Sequence, residues 1–383
     1  MTSKILLSGL LLNLLTASLL IAQDVYYPER HQWERKTPQE MGFNAQKLAQ
    51  AIQFSIDNEI NAPRDLDLYL NSRVGEPYNE MVGHVKPRGP VTGIVVKNGY
   101  IVAEWGDIER VDMTFSVTKS FLSVVVGLAY DQGLIRSVND RVQPYSPYGY
   151  FDSEHNRKIT WDHLLRQTSD WEGTLWGKPD WADRPQGRIT PEEINRPRNE
   201  PGTVYKYNDA RVNVLALAAL HVWRKPLPQI LREHIMDKIG ASNTWRWEGY
   251  HNSWIDQDGL KMQSVSGGGH FGGGMFISAL DQARFGYFTL RNGKWKSEQL
   301  LSEEWLTMSK TPTNVQTDYG FMNFFLNTDK KRIPKAPESA FFHLGDGANV
   351  VYVDPEHDLV IVVRWIASNK IGDVIGQFLD AMN

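Results

Sequence analysis

An α+β fold, with one antiparallel sheet flanked by helices and a helical lobe inserted into it, is predicted from three features of the chain. Two β-rich runs meet at Asn98-Gly99, three more lie close to the C-terminus, and helical patterns broken by loops rich in Pro, Gly and Trp fill the space between. Strands at both ends with helices between them are the pattern of segregated α+β architecture. At 383 residues the chain is long enough to bury a large core.

The elements follow in order. Lys4 precedes a mostly apolar stretch over 5–22, after which the chain turns polar at Gln23-Asp24. This is the anatomy of a secretory signal over 1–22, which makes 23–383 an exported domain, periplasmic or extracellular. An uncleaved anchor is the competing reading, and a membrane is expected as a partner only through that segment. Residues 43–57 read as an amphipathic helix after Thr37-Pro38. The runs 93–97 and 100–105 flank Asn98-Gly99, a pair that tolerates positive φ and so predicts a tight hairpin. Beyond Ser116, the apolar residues Phe121, Leu122, Val124, Val125, Leu128 and Ala129 continue to Gly133, which predicts a helix buried through the protein. Helical pieces and loops are expected from 133 to about 254. Strands follow at 340–344, 349–353 and 359–365, joined by turns at Asp346-Gly347 and Asp354-Pro355-Glu356, and a helix over 374–382 closes the chain. The sheet lobe is thus expected at about 30–115 plus 260–383, and the helical lobe at about 116–259.

Composition excludes several classes. The formal charge of −4 and the absence of a long basic run exclude nucleic acid as an expected partner. With no cysteine there are no disulfides, thiolate metal sites or lipoprotein acylation. Ten histidines show neither H-E-x-x-H nor clustered ligand spacing, so no metal and no cofactor are expected. The glycine-rich run 267–274 lacks the G-K-[ST] ending of a phosphate loop and is read as close backbone packing.

The chemistry-bearing motif is Ser116-Val117-Thr118-Lys119. Residues three apart share a helix face, so the amine of Lys119 reaches the hydroxyl of Ser116. A serine hydroxyl is a weak nucleophile until an adjacent base takes its proton, and this spacing supplies the base. A capping serine with a solvated lysine one turn later is the plain alternative.

The chain resembles the serine β-lactamase and penicillin-recognising superfamily, in its class C-like branch of D,D-peptidases, carboxylesterases and 6-aminohexanoate-dimer hydrolase. The resemblance runs from about residue 37 to the C-terminus. It is carried by Phe115-Ser116-Val117-Thr118-Lys119-Ser120, the stretch from Ile159-Thr160 to Thr168-Ser169, Pro201-Gly202-Thr203, Gly273-Gly274-Met275-Phe276-Ile277-Ser278 and Phe342-His343-Leu344-Gly345. It implies a β-lactamase/transpeptidase-like fold and an acyl-enzyme on Ser116. It also implies a tyrosine from a Y-x-N motif beside the nucleophile. Tyr207 has the family's lead-in at 201–203 and a following helix; Tyr205 and the literal Tyr250-His251-Asn252 are its rivals. A nearby cation is expected to lower the Tyr207 pKa towards that of a base. The third motif residue is then Asp209 rather than Asn. By the same resemblance His343 and Gly345 line the substrate strand, and the N–H of Asp346 joins that of Ser116 as an oxyanion donor. The tryptophan-rich segment 161–181, with Trp176, is a candidate wall over the site.

Two departures weaken a lactamase reading. Asp209 adds negative charge where relatives place an amide, and His343, mostly neutral at pH 7, stands where they hold a carboxylate with a cation. The expected substrate is therefore a small-molecule ester or short linear amide. A β-lactamase or D,D-peptidase is the alternative, and a non-catalytic binding relative is the second.

Overall fold

The computed structural model describes residues 25–72, 76–185 and 189–382. The apolar segment assigned to a signal lies outside them. Among the described residues no helix is long and apolar enough to cross a membrane.

A six-stranded antiparallel sheet runs in the order Phe325–Leu326, Phe341–Gly345, Asn349–Asp354, Leu359–Arg364, Thr92–Lys97, Tyr100–Trp105. The first hairpin turns at Asn98 and Gly99 with φ of 50° and 86°, the two positive values that its sequence anticipates. Strand 92–97 then pairs with 359–364 from the far end of the chain, Ile94 opposite Val362. The sheet is buried on both faces, so its inner strands are apolar without interruption. Val96, Val351, Val353, Val360 and Val362 face one core, and Val95, Val350, Tyr352, Ile361 and Val363 face the other.

The first core is covered by the helices Thr118–Asp131, Asp209–Trp223 and Ala279–Leu290, and the second by Ala45–Asp57 and Ile371–Asp380. Ala45–Asp57 begins where Asn44 accepts from the N–H of Lys47. Asp209–Trp223 is buried almost all round, and its start is fixed by Asn208, whose side chain accepts from Arg211 N–H at 3.0 Å and donates to the Asp180 carbonyl at 2.7 Å.

A second, four-stranded sheet was not foreseen, and its strand Arg246–Gln257 begins in the stretch, to about 254, where helices and loops are expected. The sheet runs Asp112–Met113, Gly274–Ile277, Arg246–Gln257, Leu260–Val265. Register shifts between Gly249 and Trp254, which breaks the period-two pattern that would have revealed the long strand. Arg364 ties the two sheets together, donating to the carbonyls of Ile277 at 2.7 Å and Met113 at 3.0 Å.

The helix Ala279–Leu290 lies directly on the large sheet because Gly286 has no side chain. A Cβ there would stand 2.8 Å from a methyl of Val351 and from one of Val360. Gly286→Val is expected to destabilise the protein by about 1–3 kcal/mol through overpacking, read as a lower urea midpoint with unchanged slope.

Candidate active site

Ser116 sits where the small sheet hands over to a buried helix. Thr114 N–H donates to the Met275 carbonyl at 2.9 Å, and Met275 N–H donates to Thr118 Oγ1 at 2.9 Å, so the segment is clamped on both sides of the serine. Phe115 has a φ of 47°, a left-handed conformation costly for a bulky residue, held by burial of its ring against Trp365. A 3₁₀ turn, Phe115–Val117, then feeds the α-helix Thr118–Asp131. Ser116 therefore precedes the α-helix, and its partly exposed side chain opens on a cleft of about 410 Å³.

Lys119 Nζ lies 2.9 Å from Ser116 Oγ and 2.9 Å from Asp209 Oδ1. Both charged side chains are sealed from solvent. Tyr207 lines the same cleft as Ser116 and lies with its ring centre 4.6 Å from Lys119 Nζ. The structure thus brings 116, 119 and 207 to one point on the cleft wall. The rival tyrosines are elsewhere. Tyr250 is buried and accepts from Asn213 at 3.0 Å, and Tyr205 packs on Tyr319 without lining the cleft.

Burial is the dominant influence on the site's acids and bases. It pushes the Lys119 amine below the ordinary lysine range, with Asp209 pulling the other way and Arg184 reinforcing it. Asp209 itself is held ionised, well below the usual carboxylate range, by Lys119 and Arg184 despite the cost of burial. Tyr207 moves opposite to expectation. Burial and the Asp209 charge raise it, outweighing the Arg184 cation and the nearby Ser116 hydroxyl, so it stands as a neutral phenol.

Asp209 is not a substrate contact, which corrects its expected place. As the first residue of Asp209–Trp223 its carboxylate lies behind Lys119, with Oδ2 accepting from Arg184 Nη1 at 2.7 Å. Arg184, missed in the sequence, also donates to Asp183 Oδ1 at 2.6 Å and pairs with His270 Nδ1 at 2.9 Å, while His270 Nε2 lies 2.7 Å from Glu76. Asp183 in turn accepts from the Asp209 backbone N–H. Glu76, Asp183 and His270 are the one trio with a metal-site donor set among the described residues, but the Arg184 guanidinium already occupies two of the three. What the sequence did offer was an acid at 209 in place of an amide. Burial of that acid demands a compensating cation, which the sequence does not name.

His343 is a further correction. Along Phe341–Gly345 it shares a face with Phe341, pointing into the core among Phe285, Phe324 and Phe341, fully buried. Burial lowers its pKa to about 3, so it is neutral and cannot receive a carboxylate. Trp176 is also displaced. Its ring packs on the helical core and its carbonyl accepts from Asn252 at 3.0 Å; Trp161 and Trp171 are wholly buried, and none of these lines the cleft. Gly345 and Asp346 do line it. Gly345 is bare because the Thr114 carbonyl occupies the space of a side chain, and the Asp346 carboxylate accepts from Tyr69 at 3.1 Å.

Residues 95–371 match the family model described as Beta-lactamase. The chain belongs to the beta-lactamase family of serine hydrolases. Its fold is shared by a putative 6-aminohexanoate-dimer hydrolase from Bacillus anthracis, with TM-score 0.57 and 17% identity over 94% of this chain and 89% of that one. EstCE1, a hydrolase with promiscuous acyltransferase activity, gives 0.57 at 15% identity over 88% and 98% of the two chains. A penicillin-binding protein homolog from Caulobacter crescentus gives 0.56 at 12%, also over 88% and 98%. At such identities the likeness is one of fold. No sequence among the curated proteins matches this beta-lactamase-family chain.

Two outcomes check this geometry. A Cβ on Gly268 would collide with Asp209 Oδ1 and Lys119 Nζ, so Gly268→Ala is expected to lower kcat on the order of 100-fold, measured in steady state on a folded variant. His343 contributes stability in full above about pH 6.5 and loses it as pH falls towards its folded value of about 3, because only the unfolded ring takes a proton in that window. His343→Leu is therefore expected to keep activity and to flatten the decline in urea stability between pH 6 and pH 4, by at most about 1.4 kcal/mol per pH unit.

Proposed function

We propose that this protein, exported through its N-terminal apolar segment, cleaves a carboxylic ester or short linear amide through an acyl-enzyme on Ser116. The observation that carries the reading is the 2.9 Å contact of Ser116 Oγ with Lys119 Nζ, at the wall of an open cleft and beside the Tyr207 phenol.

In the first half-reaction the Ser116 oxygen bonds to the substrate carbonyl carbon while its proton passes to Lys119, which must first have given up its own proton. The carbonyl oxygen becomes an oxyanion, received by the backbone N–H groups of Ser116 and Asp346. The first of these opens a helical turn, where N–H groups have no intrahelical partner. Collapse of the tetrahedral species breaks the bond to the leaving alcohol or amine, which takes a proton from Lys119 or from Tyr207. Water then attacks the acyl-enzyme with the same groups acting in reverse. Because Tyr207 is a neutral phenol, its part is to donate and relay rather than to open as a base.

The cleft favours a substrate without a carboxylate. The third-motif histidine is sealed in the core, and the acids Glu76 and Asp346 line the cavity. Two structural neighbours support the reaction type rather than this charge preference: a putative 6-aminohexanoate-dimer hydrolase is named for a linear amide, and EstCE1 is a hydrolase with promiscuous acyltransferase activity. One observation favours the lactamase or D,D-peptidase alternative, since Arg184 places a guanidinium on the cleft wall. Both of its terminal nitrogens are, however, already engaged by Asp183, Asp209 and His270. Asp209 is satisfied by two cations, so its replacement of an amide does not by itself favour a non-catalytic relative.

Ser116→Ala is expected to lower turnover of nitrophenyl esters about 10⁴-fold or more and to abolish labelling by a fluorophosphonate, with Lys119→Ala of similar size and Tyr207→Phe about 100-fold. A chromogenic cephalosporin should turn over far more slowly than the best uncharged ester or amide. Undiminished turnover by the alanine variant, or a cephalosporin outpacing all other substrates, contradicts the reading.

A further inference from the structure

Asp209 poses a problem for the chemistry just described. A carboxylate 2.9 Å from Lys119 in a site closed to water stabilises the ammonium form, which has no lone pair for the Ser116 proton. Neutralising Lys119 beside an otherwise uncompensated buried carboxylate would be strongly unfavourable.

Arg184 removes that obstacle. It binds the Asp209 oxygen opposite the one facing Lys119, so the carboxylate keeps a cation when Lys119 is neutral. Its guanidinium is fixed by Asp183 and His270, and His270 is braced by Glu76. Resting on the assignment of Ser116 and Lys119 above, we propose that Arg184 is a positioning residue for the general base. It compensates Asp209 so that Lys119 can release its proton and accept that of Ser116.

The groups facing Lys119 are few. They are Ser116, Asp209, the Tyr207 ring, the Tyr319 phenol and, through Asp209, Arg184. Of these only Arg184 carries a second positive charge. Asp183 sits on the same guanidinium, so its loss would turn two buried carboxylates towards the amine. The charge balance is also what distinguishes this site from one with Asn at 209, which would need no arginine.

The experiment is the pH dependence of kcat/KM on a nitrophenyl ester for wild type, Arg184→Gln, Arg184→Lys, Asp209→Asn/Arg184→Gln and His270→Gln, each shown to be folded by thermal denaturation. In Arg184→Gln the acidic limb should move up by about one pH unit or more, costing about 10-fold near neutrality that is recovered at higher pH. Arg184→Lys, which keeps the charge, should hold the limb near its wild-type place. The double variant, which removes both charges, should bring it back. The limb should persist in His270→Gln.

A loss in Arg184→Gln that is uniform across pH, as a merely structural role predicts, would overturn the proposal. So would a loss confined to KM, or a limb that disappears in His270→Gln. Fluorophosphonate labelling of wild-type Ser116 keeps the two readings apart. Unlabelled wild type overturns the nucleophile assignment and this proposal together, whereas labelled wild type with an unmoved limb overturns this proposal alone.

Discussion

The buried ion pair of Lys119 with Asp209 is the constraint around which the rest of the molecule is arranged. Taking two opposite charges out of water costs several kcal/mol apiece, and the attraction between them offsets that only when the remaining polar atoms are also satisfied. Here one carboxylate oxygen meets Lys119 and the other meets Arg184, while Lys119 completes its contacts on Ser116. The pair is delivered by two largely buried helices, Lys119 near the start of one and Asp209 at the start of the other, so the two helix starts must be fixed relative to each other. Asn208 starts one helix one residue before Asp209, and the clamps at Thr114 and Thr118 start the other around Ser116.

The surrounding fold supplies this placement. Gly268 lets the backbone of the glycine-rich run press against the ion pair, and Gly345 lets the substrate strand press against Thr114. Arg364, buried between the two sheets, holds the pre-nucleophile strand against the large sheet through backbone carbonyls. Strain at Phe115 is retained because these contacts over-determine it. Site and core are therefore one mechanical unit, and several of its glycines have packing reasons distinct from substrate access.

Much of this was legible in the chain, and the pattern of successes and misses has a physical basis. Local rules worked where the backbone itself decides, as at Asn98-Gly99, at the uninterrupted apolar strands and at the three-residue spacing of Ser116 and Lys119. Tyr207 was legible through its lead-in and the helix after it. His343 was misplaced because both faces of its strand are buried, so apolar alternation carries no sign of which face meets the cleft. Trp176 was misplaced because a tryptophan-rich loop has the same composition whether it forms a wall or a core. Arg184 lay beyond reach, since its partners come from residues 183, 209 and 270 and meet only in three dimensions. The Tyr207 shift was misjudged in sign because burial, which no local motif reports, outweighs the neighbouring cation.

The central claim is that the Ser116 oxygen carries the acyl group during turnover. Acid-quenching the enzyme while it turns over a slowly deacylated ester, followed by intact-mass measurement and peptide mapping, tests it directly. The account predicts a mass increase equal to the acyl group, confined to the peptide containing Ser116 and vanishing as substrate is exhausted. An acyl group mapped to another residue, or sustained turnover with no adduct under conditions where deacylation is rate-limiting, would contradict it.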